Sequence, residues 1–228
     1  MNPWLISSLM LFAAWLIIFI FFKKTKKEMF WVSLFTMPLG LTEPLFVPEY
    51  WSPPSLFNLA AKTGFDIESL IFAFSMGGIA SILYEIIFKV KHKKMSKHEM
   101  HSKRHRFHLL VLFSPLIVFV FSEIIFNFNI IYSVILALFT GSLIYLLCRP
   151  DLKNKVFVGG FLFLILYFIF FLFFNLLFQG WVEKTWNLSV ISGILFLGIP
   201  IEELIFAFGV GMLWSSIYEH VKWYKLKR

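Results

Sequence analysis

Residues 1–22 carry no charge, and residues 107–148 carry a single one, Glu123. A backbone that runs this far through apolar side chains has to satisfy its own hydrogen bonds, as a helix does. At ~1.5 Å per residue, 107–148 is about twice as long as the hydrocarbon layer is thick, so it is expected to fold back as two helices. Asn127-Phe128-Asn129 marks the turn. With 59% hydrophobic residues, 15% charged and a mean hydropathy of +0.81, neither a water-soluble globule nor a disordered chain is possible. One cysteine, Cys148, allows no internal disulfide and no zinc or iron–sulfur centre built on cysteines.

The charges then divide the chain. Four lysines close the first span after Phe22, and without a positive n-region or cleavage signature that span reads as an anchor. Further helices are expected over about 30–47, 66–89, the two halves of 107–148, 156–178 and 200–221. The expected fold class is therefore all-α, a polytopic membrane protein with seven transmembrane helices. Alternate connections hold four, eight, three and four Lys/Arg, together 19 of the 21, leaving only Lys62 and Lys184 on the other side. The positive-inside rule puts the N-terminus outside, the C-terminus in the cytoplasm and the protein in the cell membrane. The net charge of +8 is thus a topology signal, and no nucleic-acid partner is expected. His92, His98, His101, His105 and His108 share the most basic connection, and a solvated loop against anionic headgroups explains them without a metal.

An internal repeat organises the whole. Residues 64–85 (GFDIESLIFAFSMGGIASILYE) align without a gap on 198–219 (GIPIEELIFAFGVGMLWSSIYE), with 12 identities in 22 positions. Glu68 falls on Glu202 and Glu85 on Glu219. More faintly, Glu43-Pro44-Leu45-Phe46 answers Asn175-Leu176-Leu177-Phe178. Four helices separate the copies, so a parallel 3+1+3 repeat is expected. It is a single membrane domain over 1–228, with a first repeat at 1–89, a basic loop and connector helix at 90–127, and a second repeat at 128–228. Sites in such proteins sit between the repeats.

An acidic side chain inside a span costs several kcal/mol and marks a site by default. The outer candidates are Glu43, Asp66, Glu68, Glu202 and Glu203. Helix capping explains one carboxylate per helix start, with Asp66 as an N-cap and Pro200 at the first helical position. Capping does not explain Glu202 beside Glu203, which point ~100° apart, or Glu43 arriving from another helix. A shared acidic pocket walled by Phe72, Phe74, Phe206, Phe208 and Trp214 would combine a proton donor, a proton acceptor and aromatic faces that attract cations. That set suits a carbocation formed in an apolar substrate. Glu85 and Glu219, one turn from Lys89 and Lys222, are expected to snorkel to water.

Pro200-Ile201-Glu202-Glu203-Leu204-Ile205-Phe206 followed by Ile217-Tyr218-Glu219 resembles the P-x-E-E-x-x-F…Y-E signature of the membrane-integral lycopene cyclases. The fused form of that family also has two related three-helix halves. The resemblance implies redox-neutral cyclisation of the linear ends of a carotenoid, an intramolecular lyase or isomerase activity without cofactor or metal. It gives Glu202 and Glu203 the acid and base roles, with Glu68 as the matching group. Asp66, Glu43, Asn175, Pro200, Phe206 and Phe72 are expected to support them. The first half departs from the signature, since Phe65-Asp66-Ile67-Glu68-Ser69 lacks the proline and the second Glu. The implied partners are an apolar polyprenyl or carotenoid substrate and the bilayer, with no oligomeric state implied. The other function class open to the same cleft is a non-catalytic carotenoid or lipid binder, or a small transporter. A transporter needs a polar path over the ~25 Å between Glu68/Glu202 and Glu85/Glu219, where the residues are small or apolar.

Overall fold

The computed structural model describes residues 2–126 and 128–227 and is built mainly of helices. The long ones are α1 (Pro3–Phe21), α2 (Lys26–Thr36), α3 (Ile67–Phe88), α4 (His108–Phe126), α5 (Ile130–Cys148), α6 (Lys153–Leu177) and α7 (Ile201–Lys222). All but α2, six among the described residues, are long and apolar enough to cross a membrane. The turn before α5 is where the polar residues place it, with the Asn129 side chain accepting from the Ile131 N–H as an N-cap. Asn127 lies outside the described residues.

The segment expected as an unbroken second helix differs. α2 is 11 residues long and passes at Met37 into a 3₁₀ stretch, Met37–Thr42, then one turn, Glu43–Phe46. Pro38 brings no N–H to the ladder. Gly40 lies so close to α3 that a Cβ there would stand 2.7 Å from backbone atoms of Ser69 and Leu70. The tighter 3₁₀ winding lets the chain pass this contact and turns Glu43 inward, where it is buried.

α3 and α7 pack on each other at the centre. α1 and α2 flank α3, α5 and α6 flank α7, and α4 leans on α5 with only 11% of its span buried. Close approach uses the aligned glycines Gly77 and Gly211: a Cβ on Gly77 would strike Thr36 of α2, and one on Gly211 would lie 2.6 Å from the Gly159 carbonyl of α6. α3 and α7 run in the same direction, because the strands that follow them, Lys91–Lys94 and Tyr224–Lys227, pair with each other. The offset between Gly64 and Gly198 also separates Lys89 from Trp223, the positive-φ residues ending these helices, and His92 from Leu226, which are ribbon partners. A second small ribbon pairs Leu195–Phe196 with Ile199–Pro200 ahead of α7. These two ribbons are the exceptions to an all-helical expectation. Both form where the chain leaves or enters a helix and needs partners for freed backbone groups.

Candidate functional site

Glu68 and Glu202, which fall on each other in the sequence alignment, do parallel work at the N-terminal ends of α3 and α7. Glu68 accepts from Asn2 Nδ2 at 2.9 Å and from the Leu56 N–H at 2.6 Å. Glu202 accepts from Tyr132 Oη and from the Ser192 N–H, both at 2.9 Å. Each carboxylate pins a loop over a helix start, and neither borders the large cavity described next.

Glu203 faces the other way. Its carboxyl is buried and meets three donors: Tyr50 Oη at 2.6 Å and Trp186 Nε1 at 3.1 Å on Oε1, and Tyr167 Oη at 2.7 Å on Oε2. The donors come from separate places. Tyr167 is on α6, while Tyr50 and Trp186 sit on two loops near the N-terminal end of α7, tied together by Asn187 N–H to Tyr50 O (2.9 Å), Ser52 N–H to Thr185 O (2.8 Å) and a bridge between Trp51 and Trp186. Glu203 borders a cavity of about 740 Å³ walled by Trp4, Trp51, Phe72, Phe171, Phe206 and Trp214. Glu43 borders the same cavity from the broken helix, and among the described residues its Oε1 has no hydrogen-bond partner. From Glu203 to Lys222, both on the cavity wall, α7 rises about 28 Å. The rim includes exposed Phe35 and Leu39 near α2 and Phe113 and Leu116 of α4, so the hollow opens sideways between them.

Of the residues singled out from the sequence, the fold brings Glu203, Glu43, Phe72, Phe206 and Trp214 to one cavity, which Phe74 and Phe208 do not line. Asp66 caps α3 by accepting from the Ser69 N–H at 2.5 Å. Asn175 donates to the Gly198 carbonyl at 3.0 Å, and Pro200 is the N-cap of α7 and part of its small ribbon. Tyr50, Tyr167 and Trp186 were missed. Tyr167 had a legible signal as the lone tyrosine of an almost uniformly apolar span. Tyr50 and Trp186 lie in loops whose meeting no local pattern announces.

The opposite, Lys/Arg-rich end holds a correction. Glu85 and Glu219 do not snorkel: both are buried and both accept from Lys155 Nζ, itself fully enclosed, with Glu28 3.7 Å from the same nitrogen. His92 adds a contact of 2.7 Å to Glu219. Burial alone would lower the His92 pKa, but its contacts with Glu219 and Glu85 and the charge of Glu28 push it up to about 10. The histidines of the basic connection are likewise not all solvated, since His108 is buried. Apolar helices cannot offer water at this depth, so the charges find one another instead.

The family model for Lycopene cyclase matches residues 2–87 and 129–221. The unmatched stretch is the basic connection and α4. No curated protein and no solved structure matches the chain.

Proposed function

The chain belongs to the lycopene cyclase family, and from that premise we propose that it cyclises the end group of a linear carotenoid in the membrane by proton transfer alone. The observation that carries this reading is the pair of buried carboxyls, Glu203 and Glu43, on one long aromatic cavity.

Glu43 is the proton donor. A neutral carboxyl costs far less than a charged one against apolar walls, and Glu43 is buried on the aromatic cavity. Its proton goes to the terminal double bond, and the electron pair of that bond forms the new C–H bond. The adjacent cation is attacked by the next double bond, closing the ring. Faces of Phe72, Phe206 and Trp214 stabilise the positive charge without reacting with it. Glu203 is the acceptor. Three fixed donors suit a carboxylate, and since Oε2 takes only one of them, a lone pair remains for the proton lost from the ring carbon. One proton enters and one leaves, so the reaction is redox-neutral and calls for no cofactor. Glu68 and Glu202 act as positioning residues that hold the loops carrying or covering this machinery.

The dimensions support a long apolar substrate. A cavity that follows α7 for about 28 Å accommodates an extended polyene, and its sideways mouth admits one from lipid. As a membrane arrangement, we take the broken helix Lys26–Phe46 as the seventh crossing, with the Lys/Arg-rich end cytoplasmic. The shared offset of helix ends, glycine contacts and ribbon register supports two related halves.

The test is expression in a lycopene-accumulating bacterium, followed by pigment chromatography. Cyclised product is expected from the unaltered chain and none from Glu203→Gln. Unchanged lycopene beside confirmed membrane insertion of the unaltered protein would overturn the proposal. Product from the unaltered chain, lost in Glu203→Gln while lycopene stays bound, separates a cyclase from a mere binder.

A further inference from the structure

His105, His108 and Cys148 converge at the Lys/Arg-rich end from three elements: the turn before α4, the first residue of α4 and the last residue of α5. We propose that they form a zinc site, independent of the cyclisation chemistry. His105 Nδ1 lies 3.1 Å and His108 Nδ1 3.4 Å from Cys148 Sγ. A tetrahedral ion with Zn–S of about 2.3 Å and Zn–N of about 2.0–2.1 Å needs an N···S edge of roughly 3.5 Å, close to both. The potential ligand atoms all lie within 4.8 Å of one another.

A second observation points to a ligand. His108 Nε2 is 3.1 Å from the His220 carbonyl oxygen, which can only accept, so the proton is on Nε2 and the Nδ1 lone pair is aimed at the thiol. This is the outer hydrogen bond that orients metal-bound imidazoles. Trp223, with its ring centroid 3.9 Å away, stacks on His108 and fixes its plane. Arg149, beside the thiol, has its guanidinium doubly hydrogen-bonded to Asp151, so its charge is matched. Two imidazoles and a thiolate select a borderline-soft divalent ion, and three protein ligands leave the fourth position for water. On binding, the thiol proton leaves to solvent. The ion would fasten the least buried span, α4, to the end of α5.

The test uses the whole protein purified in detergent, stripped by a chelator and titrated with Co²⁺, then Zn²⁺. One equivalent of Co²⁺ should bind with a thiolate-to-cobalt charge-transfer band, and Zn²⁺ should abolish that band. Cys148→Ser should lose the band, and His105→Ala, on a partly exposed turn, should weaken Co²⁺ binding about tenfold or more. Absence of the band in the unaltered protein overturns the proposal. So does equal Co²⁺ uptake by Cys148→Ser, which would assign the ion to other histidines of the basic connection.

Discussion

At the residue scale, the adjacent pair Glu202-Glu203 shows how one step along a helix separates two duties. Glu202 holds Ser192 and Tyr132 outside the cavity, while Glu203 borders the cavity with three donors around it. Tyr167→Phe removes one of the three donors that favour the ionised form of Glu203, worth about 1.5–3 kcal/mol, so less of the protein carries a ready acceptor and cyclised product should form more slowly, by up to roughly 100-fold, with insertion unchanged. Timed pigment analysis measures this. Glu202→Gln keeps an acceptor oxygen for Ser192 and should retain most activity, whereas Glu43→Gln should lose it. The reverse order would return the donor role to Glu202.

At the element scale, the ends of α2, α3, α6 and α7 are joined through Lys155, and that junction sets the predictions. Lys155→Met leaves the buried carboxyls of Glu28, Glu85 and Glu219 with only the partly buried His92 as a cation among the described residues and should cost about 3–5 kcal/mol, read as a lower thermal midpoint in detergent. His92 bonds the same cluster from the strand after α3, and folding raises its pKa to about 10. Its stabilisation is therefore complete below the unfolded value of about 6.5 and is lost as pH rises through about 10. The midpoint of the unaltered protein should fall more between pH 7 and pH 10.5 than that of His92→Gln. Equal falls would remove His92 from the account. The composition of α3 and α7 was legible down to the glycines, but their buried glutamates were not, because no local pattern shows that Lys155 of α6 reaches both.

At the scale of the whole molecule, the cavity lies between the central pair and the flanking helices and opens between the Phe35–Leu39 stretch and α4. That geometry suits a substrate dissolved in lipid. The proposed orientation has a direct test: a cysteine replacing Ser189 should react with an impermeant maleimide added to intact cells, and one replacing Ser96 only after lysis. Both substitutions are made in a Cys148→Ser background, and the opposite pattern would invert the assignment.

The sequence by itself determined the six long apolar helices, the gathering of Lys/Arg in alternate connections, the matching 64–85 and 198–219 segments and the scarce acidic residues, because hydropathy and identity are properties of adjacent positions. The tertiary structure alone decided which carboxylates share the cavity. Neighbouring residues on a helix differ by ~100° in direction, and only the packing of α6 and the two tied loops determines which direction is inward. Tyr50 lies 153 residues from Glu203 along the chain, and Glu43 turns inward only because the close passage of Gly40 over α3 coincides with the break in its helix.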